Sequence, residues 1–407
     1  MLLAYLAAAA VAGGQPVHEV EEDITRVAHV LGYRDVQVAA APTGVTLSLG
    51  RGTPATYEKV DGGLRLDQSA EVNAIRTGLV DGSLSADAAL DRLLVLRARP
   101  HRFPRTGMLV GGLLSAAGIA TVLQPSWAAI AFAVVCNPLV MVLVRLSSRR
   151  KLLMTLLPSV AAFLVSAAAF WAFEHGLIDG PLRTLLAPLA VLLPGALIVT
   201  GLAELAAGAM VAGTARLAYG GAQLMLFAMG VAGAALLLDA PTEALTNVRV
   251  SELSWWGPVI GLPLIVVGIS LMESVSRSLA PWILLVVLLT FGAQVAGQAL
   301  TPSPWAGAFL GAVAASAGAI LVETIKPSLP RIAVFLPSFW MLVPGSLGLV
   351  SITQLGLEPQ LAVPTITTVM ITIAAIALGV LVGATVGRSA RLMIRQARGA
   401  TARLRAR

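Results

Sequence analysis

The chain has 407 residues, of which 57% are hydrophobic and 12% charged, with a net charge of +7. Soluble domains carry about a quarter charged residues and a little under half apolar ones, so a soluble enzyme and a disordered chain are excluded and a polytopic α-helical membrane protein is implied. The single cysteine, Cys136, excludes a disulfide framework or cysteine metal cluster within one chain, and the positive excess in so apolar a chain suits orientation in a bilayer rather than nucleic-acid binding.

Residues 1–105 hold 12 of the 21 acidic residues and 11 of the 28 basic ones, which marks a small soluble α+β domain. It opens on the apolar stretch Leu2–Ala12, then Gly13-Gly14-Gln15-Pro16. With no basic residue ahead of it, this stretch reads as a helix packed on the domain rather than a cleaved secretion signal. A helical period over 17–31 puts Val20, Ile24 and Val27 on one face, and Gly32 stops it. Alternation over 35–40 and 44–49, around Pro42-Thr43-Gly44, predicts a hairpin. Two further helices are predicted over 69–80 and 85–99.

Beyond Arg105, ten apolar runs are long enough to cross a hydrocarbon core of about 30 Å. They lie at 106–123, 127–144, 152–173, 184–203, 216–238, 253–272, 279–299, 305–325, 332–353 and 364–387. With the small domain inside, 19 Lys and Arg residues flank the inner ends or follow in the tail, against Arg183 and Arg249 outside. An even number of spans with that bias places both termini in the cytoplasm.

The second half repeats the first at an offset of 150 residues. Leu192-Leu193-Pro194-Gly195-Ala196-Leu197 recurs as Leu342-Val343-Pro344-Gly345-Ser346-Leu347, and Gly107, Gly111, Gly118 and Ile119 recur as Gly257, Gly261, Gly268 and Ile269. Glu204 falls on Gln354, its amide isostere. Five spans per repeat is odd, so the repeats enter the membrane from opposite faces, an architecture common among secondary transporters. The division is 106–250 and 251–388 for the two repeats and 389–407 for a basic cytoplasmic tail. Pro-Gly within an apolar span removes a backbone donor and breaks the helix, freeing polar backbone groups for a substrate or water.

The stretch Leu192–Leu217, LLPGALIVTGLAELAAGAMVAGTARL, resembles the bacterial threonine/serine exporters. So do FWMLVPGSLGLVSITQL at Phe339–Leu355 and the leading segment Val20–Leu49, with ITRVAHVLGY and TGVTLSLG. The resemblance implies an inner-membrane exporter of small hydroxy-amino acids energised by protons, with membrane lipids as its other partner and no cofactor. Relatives split into two proteins are associated with succinate export, so a small dicarboxylate is the alternative cargo. Thr200 and Ala209 stand where the family pattern has Asn and Asp, which leaves less polarity around the first broken helix.

The polar candidates for the pathway are Asn137, Thr200, Glu204, Gln294, Gln298, Ser346 and Gln354, with the breaks Pro194-Gly195 and Pro344-Gly345. Glu204 can carry a proton or meet an ammonium group if buried, and otherwise is an interfacial helix end. Asn137 precedes Pro138, while Gln294 and Gln298 share one face of the seventh span and are read as facing the same cavity. Glu174 and His175 are the other proton-coupling candidates, at an outer helix end. Glu273 and Glu323 read as solvated partners of Arg277 and Lys326. The four histidines form no metal-ligand spacing, and no phosphate-binding loop or hydrolase motif is present. A non-transporting receptor or scaffold and an intramembrane enzyme are the readings from other classes. Small-residue stripes at Gly379, Gly383 and Gly387, and at Gly307, Gly311, Ala315 and Ala319, suit packing within the chain or a homodimer seam. Arg388, Arg391, Arg395 and Arg398 share a helical face suited to an anionic leaflet.

Overall fold

The computed structural model describes residues 1–405 apart from 104, 148–149, 247, 302, 327–328, 330, 341, 343–348, 350–352 and 354–358. The small domain comprises α1 (Leu2–Ala12), α2 (Val17–Val30), β1 (Gln37–Ala41), β2 (Gly44–Ser48), β3 (Thr56–Lys59), α3 (Leu66–Val80) and α4 (Ala86–Leu94). The sheet is antiparallel in the order β1-β2-β3, and Ala41 pairs with Gly44 across the predicted turn. Strand β3 escapes an alternation argument because Thr56-Tyr57-Glu58-Lys59 has one apolar residue and lies mostly exposed. Helix α1 is built into the domain: Leu6 packs in one core with Val20, Ile24, Val45, Ile75 and Leu79. Gly32 has φ +94°, the left-handed stop its position after α2 requires.

The membrane part comprises α5 (Arg105–Leu123), α6 (Trp127–Ser147), α7 (Lys151–Glu174), α8 (Pro181–Thr184), α9 (Leu186–Leu189), α10 (Gly195–Ala206), α11 (Met210–Leu237), α12 (Trp256–Met272), α13 (Ala280–Leu300), α14 (Pro304–Ile325), α15 (Arg331–Trp340) and α16 (Pro359–Arg405). Among the described residues seven helices are long and apolar enough to span, or eight counting one bent pair, and not the ten read from the sequence. The differences are local. The fourth run is bent by 69° between Pro181–Leu192 and Gly195–Ala206. Helix α12 has 17 residues, about 26 Å at 1.5 Å per residue. The ninth run is a helix to Trp340, and most of its remainder lies outside the described residues. Helix α16 runs on without interruption through residue 388, where the sequence suggested a separate tail.

Helices α5 and α12 cross antiparallel with their glycines in reciprocal contact. A Cβ on Gly111 would lie 2.7 Å from the Gly268 carbonyl oxygen and one on Gly268 2.6 Å from that of Gly111; Gly118 and Gly261 repeat the pattern at 2.7 and 2.8 Å. Gly261 and Gly268 are the residues 150 positions after Gly111 and Gly118, so each glycine of α5 meets the later counterpart of the other. Every buried, half-buried and exposed position of 131–147 has the same environment 150 residues later, in 281–297. Gly268→Ala is expected to destabilise the chain by about 1–3 kcal/mol, because overpacking at a backbone contact has no flexible atom to yield. Gly292, where an added methyl would meet nothing within 4 Å, is the control: thermal melting of Gly292→Ala should match or exceed wild type.

The stripe on α16 is used within the chain. Methyls at Gly379, Gly383 and Gly387 would strike the Phe309 carbonyl, the Val313 carbonyl and the Ile320 side chain of α14. This is the intrachain reading of that stripe, and it leaves those glycines unavailable to a homodimer seam.

Candidate functional site

Pro194 cannot donate to the preceding turn, and the chain uncoils there: Leu193 is extended, Pro194 has φ −81° and ψ 28°, and α10 restarts at Gly195. Pro194 and Gly195 are both buried. The new helix lies very close to α11, since methyls at Gly201 and Gly213 would fall 2.9 and 2.6 Å from each other's carbonyl oxygens. That approach sets Arg216 of α11 beside Glu204 of α10, with Nε 3.0 Å from Oε2. The pair is coulombic rather than an aligned hydrogen bond, because the N–H direction misses the oxygen. Glu204 is fully buried, so it is no interfacial helix end.

The other oxygen of Glu204 leaves the bundle altogether. Oε1 accepts the backbone N–H of Val17, the first residue of α2, at 3.0 Å. Pro16 precedes α2 and offers no side-chain cap, so a carboxylate from the membrane part satisfies a helix-start donor buried with Val17 and meets the positive end of the helix dipole. Helix α3 begins the same way: Glu273 Oε2 accepts the N–H of Leu66 at 3.2 Å. Two acids of the bundle thus cap two helices of the small domain. Around them Arg76 reaches Glu323 at 3.5 Å, Glu19 pairs with Arg331, and His101 Nε2 lies 2.8 Å from the Met272 carbonyl oxygen.

These contacts correct the reading of Glu273 and Glu323 as partners of Arg277 and Lys326. Glu323 instead meets Arg76 and Arg391, at 3.5 and 3.7 Å, while Lys326 sits over the Trp282 ring. Arg391 therefore turns toward protein, not only toward lipid. The side chains of Arg395 and Arg398 lie outside the described residues.

Glu273 lies just past the end of α12, and burial pushes its carboxyl above the ordinary carboxylate range; the Leu66 N–H opposes that, Asp67 adds to it, and Arg65 and His101 oppose it. A carboxyl raised in the docked state binds protons more tightly docked than free. Docked stability is therefore greatest below the ordinary pKa of 4.5 and falls as pH rises from there to the raised value. Glu273→Gln is expected to remove that fall, read as the pH dependence of thermal melting between mildly acidic and neutral solution.

Asn137 is 1% exposed, and neither amide atom has a hydrogen-bond partner among the described residues. It sits where α6 meets α5: a methyl on Gly112 would lie 2.8 Å from its Oδ1. Pro138 does not break α6. Helix α6 packs on α9, which leads into the break before α10. Gln294 is half-buried and Gln298 exposed, both at the contact of α13 with Gly307 of α14. The structure thus sets Asn137 at the contact of α6 with α5 and the glutamines at the contact of α13 with α14. Thr200 is half-buried one turn before Glu204 on the same side of α10.

Glu174 and His175 are exposed at the end of α7, and His175 Nδ1 lies 2.8 Å from the Trp171 carbonyl oxygen. Neither joins Glu204. Pro344, Gly345, Ser346 and Gln354 lie outside the described residues. Among the described residues no group of three His, Cys, Asp or Glu is placed to hold a metal ion.

Arg216 is the candidate site residue that sequence reasoning misses, since it counts there only as an orienting charge. The available signal is a lone cation in an apolar helix, which needs a partner, twelve positions after a lone acid. The capping amides of Val17 and Leu66 carry no signal, because a backbone donor has no residue type.

A family profile described as "Putative threonine/serine exporter" matches residues 2–238. That span includes the small domain, the broken helix, Glu204 and Arg216. No curated protein and no solved structure matches the chain.

Proposed function

The chain belongs to the threonine/serine exporter family, and on that premise we propose that it is a secondary transporter, not an enzyme, exporting serine and threonine across the inner membrane by proton antiport. The observation that carries the mechanism is the buried Glu204, held between Arg216 and the first amide of α2 at the end of a broken helix. A proton on Glu204 dissolves its attraction to Arg216, and the carboxyl then no longer competes for the α2 amide as an anion. One titratable group whose partners differ between two conformations is enough to couple proton and cargo. The conformation in the structure is the capped one, with the small domain closing the bundle end on which α10 terminates.

The reciprocal glycines of α5 and α12 and the matched environments of 131–147 and 281–297 support two inverted repeats. All the small-domain anchors named above lie at one end of the bundle. At the other end Gln124, Arg183 and Arg249 join the loops, with Gln124 bridging Asp179 and Val250 at 3.3 and 3.2 Å. This separation favours regular alternation of spans and, with the basic bias, both termini in the cytoplasm. The test is efflux from loaded proteoliposomes, comparing threonine, serine and succinate with and without a pH gradient. Serine and threonine efflux accelerated by the gradient is expected; transport of succinate alone overturns the cargo, and equal rates without the gradient overturn the coupling.

A further inference from the structure

Between the small domain and the ends of α14, α15 and α16 lies a half-open cavity of about 190 Å³. Glu204, Arg216 and Asn137 do not line it, so it is separate from the broken helix. Most charges on its walls are matched: Glu19 with Arg331, Asp23 with Arg76 at 2.8 Å, and Glu323 with Arg76 and Arg391.

Two are not. Glu22, on α2, has no ion pair or hydrogen bond among the described residues. Arg388, on α16, donates from Nε to the Ala384 carbonyl at 3.3 Å and has no carboxylate within ion-pair reach among the described residues. The unmatched acid comes from the small domain and the unmatched base from the bundle, on the walls of one cavity. Ser69, 4% exposed, also lines it, and its Oγ has no hydrogen-bond partner among the described residues. At roughly 30 Å³ per water the space holds about six waters, room for a small polar solute. A simple anion would satisfy Arg388 and leave Glu22 opposing it. A solute carrying both charges satisfies both walls, and Ser69 adds a hydroxyl for either pole.

We propose that this cavity binds a small zwitterionic amino acid, its carboxylate on Arg388 and its ammonium on Glu22, bridging the small domain to α16. Because the poles belong to different parts of the chain, occupancy favours the docked domain by mass action. The site does not depend on which solute the membrane pathway carries.

Hydrogen–deuterium exchange on the full chain in nanodiscs, with L-serine as probe, tests this. Slower exchange is expected in residues 15–26 and 384–394 together. Arg388→Gln and Glu22→Gln, both exposed positions that should fold, are expected to weaken the effect at least about tenfold, as loss of a charged hydrogen bond does, while Arg388→Lys retains most of it. N-acetylserine and serine methyl ester each lack one pole and should protect far less. Equal protection by N-acetylserine, inorganic phosphate or anionic lipid would make this an anion site and overturn the proposal, as would no protection by serine. Serine flux is measured separately, so the cavity can fail while transport stands, and the reverse.

Discussion

Glu204→Gln is expected to abolish the acceleration of efflux by a pH gradient and, at the same time, to lower the stability of the chain. The amide can still accept the Val17 N–H, so the α2 cap survives in part. Arg216, 10% exposed in its side chain, loses its counter-charge. Removing one partner of a buried ion pair costs about 3–5 kcal/mol, because the remaining charge is left uncompensated in a poorly solvated place. The loss of folding stability comes from the Arg216 contact. The double variant Glu204→Gln/Arg216→Met separates the two effects. It removes both charges, so thermal stability should return toward wild type, while gradient stimulation stays lost. If the double variant is stable and still responds to the gradient, coupling does not pass through this pair, and Glu174 and His175 are the next groups to replace.

Legibility follows the kind of force involved. Hydrophobic runs and their period locate α1, α2, α3 and most spans, because those elements are defined by which residues leave water. The Pro-Gly break at 194–195 is legible for a covalent reason, a missing donor, and the structure bends the chain by 69° there. The offset of 150 residues is legible from four glycines, and its physical sense is clear only in three dimensions, where Gly111 meets Gly268 and Gly118 meets Gly261. What stays hidden is long-range and polar. Val17 and Glu204 are 187 positions apart and Leu66 and Glu273 are 207; neither pair has a local pattern. Glu323 has Lys326 three positions away, yet it binds Arg76 of the small domain. Nearness along the chain is a poor guide because both acids sit at a docking surface, where partners come from the other part.

Asn137→Leu is expected to raise stability and lower transport together, a combination that a packing residue cannot produce. Both amide atoms are buried without a partner among the described residues, and an unsatisfied buried polar group costs about 1–3 kcal/mol. Leucine has nearly the same shape and no such penalty, so thermal melting should shift upward. The 150-residue counterpart of Asn137 is Val287, buried in the same way on α13, which shows that an apolar side chain is tolerated in this environment. The first half of the chain therefore carries a destabilising amide where the second carries a branched hydrocarbon. Polar groups held unsatisfied in a membrane bundle are costly, and a binding role is the physical reason to keep one. In a transporter, the missing partner arrives with the cargo: a hydroxyl or carboxylate passing α6 would satisfy the amide during part of the cycle. Serine efflux by Asn137→Leu should then fall by about tenfold or more, the worth of one such hydrogen bond, while Asn137→Gln, which keeps the amide, should retain part of it. A more stable variant with unchanged efflux would place Asn137 outside the pathway and leave Thr200 and Glu204 to line it.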